Sequence, residues 1–172
     1  EMQKNLNLKV KYRESFRPFA PSILEEDVKE WFDIQTKSPY MLLVANINSK
    51  KVIKMTDVED ELFGIEKLNI KRSKIPAVTH VDYSARIQTV SESTNKPYFD
   101  LISKFKEKTG CPVIVNTSFN VRGEPIVNTP TDAFNCFMGT ELDYLVIGNC
   151  ILDKNKQYPN LKKDYTKKFE LD

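Results

Sequence analysis

The densest group of residues that could do chemistry follows a short apolar run in the second half of the chain. Residues 112–125 read PVIVNTSFNVRGEP, so a proline-opened apolar segment ends in closely spaced polar residues. This pattern predicts a buried strand that ends in a binding loop. Asn116, Ser118 and Asn120 can donate and accept hydrogen bonds, Arg122 supplies a planar cation, and Gly123 permits a tight turn. Together they suit a phosphate or a carboxylate, although a polar turn that satisfies its own backbone explains the same residues.

Several cations are predicted to lie on stiff parts of the chain, beside strand ends. They are Lys11, Arg13, Arg17, Arg86 and Arg122. Pro18 and Pro21 exclude a helix next to Arg17 and hold it on an extended backbone. No two acids stand as a general-base pair, and a site rich in Arg and Lys suits a reaction that depends on positioning and on neutralising phosphate charge. We therefore expect one cleft lined by Lys11, Arg17, Ser118, Asn120 and Arg122.

The elements that must position these residues are strands and helices in irregular order. Continuously apolar runs at residues 40–47, 112–115 and 143–151 predict the centre of a sheet. Helical spacing of apolar residues predicts a helix at 96–108, and Thr-Pro-Thr-Asp before residue 133 predicts another. The mixture indicates the α/β (α+β) class, with a mixed twisted sheet and packed helices.

Other local patterns predict shorter elements. Alternation of Leu6, Leu8 and Val10 predicts a short strand before Lys11. Residues 75–82 and 85–90 predict a hairpin with Arg86 and Gln88 on one face. Residues 48–74 are rich in charge and predict a loop or insertion.

Composition limits the classes of function. The 172 residues carry 26 Lys and Arg against 24 Asp and Glu, so no global charge argues for nucleic acid or membrane. Three widely spaced cysteines fit a reducing cytoplasm, and a single histidine, His80, argues against a protein-ligated transition metal. No apolar run approaches the roughly 20 residues that span a bilayer. Because position 1 is not Met, we expect a fragment of a longer protein.

Several motifs in this sequence closely resemble one known family. They are KYRE at 11–14, FRPFAPS at 16–22, SPYMLLV at 38–44, IPAVTHVD at 75–82, RIQTV at 86–90, NTSFNVRGEPIV at 116–127 and DYLVIG at 143–148. They resemble the C-terminal domain of the O-carbamoyltransferases that act on nodulation factors and antibiotics. That domain is YrdC-like, and Lys11-x-Arg13 with Ser118-x-Asn120 is similar to the K-x-R and S-x-N signature of that superfamily. The resemblance covers residues 1–154 and leaves 155–172 as a Lys-rich tail.

The resemblance implies a function that needs a second domain. In the family, the YrdC-like domain takes carbamoyl phosphate and ATP, with Mg²⁺, and makes carbamoyl adenylate. A preceding actin/hexokinase-like domain, absent from this chain, then transfers the carbamoyl group to a hydroxyl. Family members also carry an arginine-containing GPRALGNRS stretch just upstream, so weak binding is expected of this chain alone.

The resemblance also implies roles for individual residues. Lys11 and Arg17 are the implied catalytic residues, which bind phosphate and carbamoyl oxygens. The implied substrate-binding residues are Lys11, Arg13, Arg17, Arg86, Asn116, Ser118, Asn120 and Arg122, and no residue is assigned to a metal.

Two other classes of function remain open at this stage. One branch of the superfamily serves tRNA modification, so an RNA-binding module is the first alternative. The balanced charge and the lack of aromatic residues between the arginines argue against nucleic acid as a partner. The second alternative is an interaction domain whose site has decayed, against which the two intact motif pairs argue.

Overall fold

Short helices and strands alternate along the chain, and the computed structural model describes residues 1–165 and 168–169. The α-helices in this part of the chain are α1 (Met2–Leu6), α2 (Val28–Trp31), α3 (Asp57–Asp60), α4 (Ile65–Leu68), α5 (Lys96–Thr109) and α6 (Pro130–Gly139). The strands are β1 (Ala20–Leu24), β2 (Leu43–Asn46), β3 (Ser84–Val90), β4 (Val113–Asn116), β5 (Tyr144–Ile147) and β6 (Cys150–Asp153). A π-helix spans Asn7–Lys11, and 3-10 turns span Glu25–Asp27, Ser49–Lys51, Pro76–Val78, Lys154–Lys156 and Pro159–Leu161.

The chain divides into two units. The central unit is Pro18–Thr117, and the terminal unit is Glu1–Arg17 with the chain from Ser118 onward. The central unit holds β1 to β4 with α2 to α5, and the terminal unit holds α1, the π-helix, α6, β5 and β6.

A mixed sheet organises the central unit. Its strand order is β2-β3-β1-β4, with β1 parallel to β3 and antiparallel to β4, and β2 antiparallel to β3. Pairing of β1 with β3 begins at Ser22, one residue after Pro21, so the missing N–H of the proline lies outside that ladder. The predicted α/β class with a mixed sheet is confirmed.

Helix α5 covers part of this sheet. Asn95 precedes the helix, and its side-chain oxygen accepts a hydrogen bond from the Tyr98 N–H at 3.3 Å. Ile102 is fully buried and packs with Leu24 of β1 and Val90 of β3. The helix predicted at 96–108 is therefore confirmed, because its cap and its apolar face are both encoded locally.

The terminal unit has its own core, built on α6. Thr129 caps the helix in a reciprocal capping box with Asp132. Phe137 is fully buried and packs with Leu145 of the β5–β6 hairpin. Tyr165, in the segment predicted as a tail, is also buried and packs with Cys136 of α6. The division of the chain at residue 154 stays a prediction.

The predicted centre of the sheet is wrong. Strands β1 and β3 occupy the inner positions, whereas β2 and β4, from two of the apolar runs, are the edges. The third run is not one strand, because Gly148 (φ 55°) turns it into a hairpin in the other unit. Several side chains of the first run are exposed, with Leu42 at 78% and Val44 at 58%, whereas Ile47 at its end is buried. An apolar run thus signals a strand but does not say on how many sides it is paired.

Two local predictions also fail. Residues 75–82 form no strand: Pro76 opens a 3-10 turn, and β3 pairs with β1 and β2 instead of folding back on this segment. The strand predicted at residues 6–10 is helical. The buried residues of the π-helix are the polar Asn7 and Lys11, which lie one helical turn apart. The alternation of apolar residues therefore predicted a strand where the buried positions have a helical spacing.

Candidate anion-binding site

Lys11 is a buried lysine at the end of the π-helix. Only 5% of the residue is exposed, and the next residue, Tyr12, has a left-handed backbone (φ 50°). Its ammonium donates to the carbonyl oxygen of Ser118 at 2.8 Å and to that of Asn120 at 2.6 Å. It also donates to the side-chain oxygens of the same two residues, at 3.3 Å and 2.7 Å. Four oxygens therefore share its three protons.

The loop around the ammonium is tied by its own hydrogen bonds. The Arg122 N–H donates to the carbonyl oxygen of Lys11 at 2.9 Å, and the Asn120 amide donates to the carbonyl oxygen of Glu124 at 2.7 Å. The Val121 N–H donates to the Glu124 carboxylate at 2.9 Å. The turn between them uses Gly123 at φ 74°, a conformation that favours glycine. The loop and the end of the π-helix are thus held in register.

Burial disfavours the charged form of the Lys11 side chain. Loss of solvation, and then the charge of Arg13, lower the pKa of Lys11 from 10.5 to about 8. Its four hydrogen-bond acceptors are neutral oxygens, so none of them supplies a compensating charge. The nearby thiol of Cys136 is buried, and burial raises its pKa to about 12, so it stays protonated at neutral pH.

Two arginines pair with one carboxylate in the same unit, and the charge of a third acts on it. Glu14 Oε2 lies 3.1 Å from Arg17 Nη2, and Glu14 Oε1 lies 3.3 Å from Arg122 Nη1. Arg13 donates from Nε to the Asn7 side-chain oxygen at 2.6 Å. A hydrogen bond to its own backbone, and then the charges of Arg17, Arg122 and Arg13, lower the pKa of Glu14. Such a cluster of guanidiniums beside one carboxylate suits an anion.

Residues 1–154 match the family described as Carbamoyltransferase C-terminus. The chain belongs to this carbamoyltransferase family.

The chain is also similar to several longer proteins. The chain is 56% identical to the uncharacterized protein sll1178 of Synechocystis, over 99% of this chain and 28% of that protein. It is 40% identical to nodulation protein NolO of Bradyrhizobium diazoefficiens, over 90% of this chain and 25% of that protein. It is 39% identical to nodulation protein NolNO of Sinorhizobium fredii, over 90% of this chain and 20% of that protein. The chain therefore spans about a quarter of the length of these relatives.

In this carbamoyltransferase domain, sequence reasoning missed Glu14. The signal was present, because Glu14 follows Arg13 directly and stands three residues before Arg17. A pair of acids would serve proton transfer, whereas a single acid between two arginines neutralises part of their charge. Glu14 brings Arg17 and Arg122 to one carboxylate although 105 residues separate them.

The structure brings together, in the terminal unit, the five residues that were predicted to line one cleft. They are Lys11, Arg17, Ser118, Asn120 and Arg122. A cavity of about 440 Å³ in this unit is lined by none of these five, and its walls include Tyr12, Gly139 and Tyr165. The five residues form a contact network beside Glu14, and they do not line this cavity.

Two predicted site residues belong to the central unit. Arg86 is exposed on β3, directly opposite Val44 of β2. Asn116, at the end of β4, donates to the side-chain oxygen of Gln88 at 2.6 Å, and Ser22 donates to the same oxygen at 2.6 Å. Arg86 and Gln88 share a face of the strand, as the sequence predicted.

Two searches of the described residues bear on metals and membranes. Within residues 1–165 and 168–169, no three His, Cys, Asp or Glu side chains are grouped so that they could hold a metal ion. In the same residues no helix combines the length and apolarity needed to cross a bilayer.

Proposed function

We propose that this carbamoyltransferase domain binds carbamoyl phosphate and ATP and forms carbamoyl adenylate. The observation that carries the proposal is the charge arrangement in the terminal unit. Lys11 is held by the Ser118-x-Asn120 pair, two guanidiniums pair with the Glu14 carboxylate, and the charge of Arg13 also acts on it. A family domain with a cluster of cations beside an ordered loop suits reactants that carry phosphates.

The proposed reaction assigns positioning and charge neutralisation to the protein. Water releases phosphate from carbamoyl phosphate and leaves carbamate. A carbamate oxygen then attacks the α-phosphorus of ATP, the bond to the bridging oxygen breaks, and pyrophosphate leaves. Carbamate is short-lived in water, so the attack must occur within one closed site.

Individual residues have separate tasks in this proposal. Lys11 and Arg17 bind phosphate and carbamoyl oxygens, and Arg13 and Arg122 neutralise further phosphate charge. Ser118 is exposed, so a reactant oxygen can replace its contact with the ammonium. Asn120 keeps the loop closed through its bond to Glu124. Arg86 and Asn116 lie in the central unit and stay predicted substrate-binding residues, to which this proposal gives no task.

The proposal also concerns metal, partner and compartment. Mg²⁺ would enter bound to the ATP phosphates. The oxygens around Lys11 are neutral and already accept its hydrogen bonds, so they do not provide the carboxylate ligands of a metal site. We propose that an N-terminal domain of the whole protein transfers the carbamoyl group to a hydroxyl, as the greater length of the relatives allows. The cysteine spacing and the use of ATP favour the cytoplasm.

Pyrophosphate release tests the proposal directly. The purified chain, given ATP and Mg²⁺, should release pyrophosphate only when carbamoyl phosphate is present. Ser118→Ala and Arg122→Ala should each weaken binding of ATP or carbamoyl phosphate with the thermal midpoint nearly unchanged. A lost charge-assisted contact is worth about 1.5 to 3 kcal/mol, or roughly 10-fold to 150-fold in affinity.

A matched control separates a specific contact from general charge. Lys104→Ala removes an exposed cation of α5 that pairs with Glu107 at 2.7 Å, and it should leave binding unchanged. Equal binding by all variants would show that the loop is an ordinary polar turn that does not contact these reactants. Binding of tRNA without ATP, lost at high salt, would favour the RNA-binding alternative instead.

A further inference from the structure

Glu14 occupies the position that an anionic ligand would take between two arginines. Its carboxylate places one oxygen beside Arg17 Nη2 at 3.1 Å and the other beside Arg122 Nη1 at 3.3 Å. A carboxylate and a phosphate both present two oxygens to guanidinium groups in this way. The protein therefore already places an anion of its own between these two cations.

The contacts of Glu14 are weak enough to be exchanged. Its side chain is 37% exposed, that of Arg17 is 50% exposed and that of Arg122 is 23% exposed. Oε2 is itself buried, yet no donor among the described residues is aligned with it for a hydrogen bond, even though Arg17 is within ion-pair distance. Ion pairs with partly exposed members contribute little to stability. The carboxylate can therefore rotate away without breaking a strong hydrogen bond to either arginine.

We propose that Glu14 is an internal ligand of Arg17 and Arg122, which an incoming anion must displace. This inference rests on the proposed function, because it concerns the same arginines. Binding then requires the fraction of molecules in which Glu14 has left, and the apparent affinity of every anion falls by that fraction. The affinity for a monoanion then becomes too low for the monoanion to occupy the site at ordinary concentrations. A polyphosphate carries more charge and still binds.

The opposite role for Glu14 makes the opposite prediction. A carboxylate that merely positions two guanidiniums would keep them ready for a ligand, and its removal would weaken binding. An internal competitor lowers affinity, and its removal strengthens binding. The sign of the change in affinity therefore decides between the two roles.

The experiment measures binding of pyrophosphate and of formate by calorimetry. Glu14→Gln keeps the size of the side chain and its ability to accept a backbone hydrogen bond but removes the charge. We expect both anions to bind Glu14→Gln about tenfold more tightly than the unaltered chain, since two partly exposed ion pairs no longer compete. The matched control is Glu141→Gln, because Glu141 is an exposed acid of the same unit that pairs with Lys9 at 3.1 Å.

Each outcome has one meaning. Weaker or unchanged binding by Glu14→Gln, while the unaltered chain binds pyrophosphate, overturns the internal ligand and leaves the proposed function standing. Equal strengthening by Glu141→Gln also overturns it, because general charge would then explain the effect. Failure of both the unaltered chain and Glu14→Gln to bind pyrophosphate or ATP removes the proposed function as well. Glu14→Ala, with its thermal midpoint measured, repeats the test should the Gln variant fold poorly.

Discussion

Raising the pH should stabilise this protein through Lys11. The buried ammonium has a pKa of about 8, whereas an unfolded lysine has its usual value of 10.5. Between these values the unfolded chain holds a proton that the folded chain has released, so stability rises with pH. The full contribution is present above pH 10.5 and is lost as the pH falls through 8.

The two pKa values determine the size of the effect. One pKa unit equals roughly 1.4 kcal/mol, so the difference corresponds to about 3 kcal/mol in the free energy of unfolding. The conversion is justified because only 5% of Lys11 is exposed, so solvent screens it little. That amount is a large part of the stability of a typical domain.

Urea denaturation at several pH values between 7 and 10.5 measures this contribution. Lys11→Met keeps the aliphatic stem and removes the titrating group, so the difference between the two proteins isolates Lys11 from other groups. We expect the unaltered protein to gain about 3 kcal/mol relative to Lys11→Met across this range. The control is Lys9→Met, at an exposed lysine of the same π-helix, which keeps Lys11, so its stability should rise with pH as that of the unaltered protein does. A difference that stays flat would refute the reasoning, because the four oxygens around Lys11 would then fully compensate for burial.

Three further predictions concern stability, measured by urea denaturation. A Cβ at Gly139 would overlap the Tyr165 ring, so Gly139→Ala should lower the free energy of unfolding by about 2 to 3 kcal/mol. The double variant with Tyr165→Ala should be little less stable than Tyr165→Ala alone, because the overlap is then gone. Additive losses of stability would show that the ring does not pack there. Thr129→Ala removes the capping-box oxygen that accepts from the Asp132 N–H at 3.1 Å, and should cost about 1 kcal/mol; no loss would mean that water replaces the cap. Ile102→Ala opens a cavity beneath α5 and should cost about 2 to 5 kcal/mol, and a cost near zero would contradict the packing described for this helix.

Local features of the fold could be predicted from the sequence alone. Helix α5 needs an N-cap, an apolar stripe and a terminal glycine, and Asn95, Ile102 and Gly110 lie within that one segment. Helix α6 likewise has its capping box and its proline in adjacent residues. Such elements form for reasons contained in one or two helical turns, so their positions were recognisable.

The arrangement of strands could not be predicted in this way. Residues 20–24 include a proline and were expected only to be extended, yet β1 pairs on both sides. Residues 40–47 are continuously apolar, yet β2 pairs on one side only and Val44 is exposed. Apolarity measures the free energy gained by leaving water, and it does not specify which neighbour provides the cover.

The candidate site shows the same division. The residue types and spacing of Lys11-x-Arg13 and Ser118-x-Asn120 determined that cations and small polar groups were available for an anion. Only the tertiary structure decided that the Lys11 ammonium donates to a loop 107 residues away, and that Glu14 lies between Arg17 and Arg122. The physical reason is that hydrogen bonds and ion pairs act over a few ångströms in space, whatever the separation along the chain. The sequence therefore specified the chemical groups of the site, and folding decided their partners.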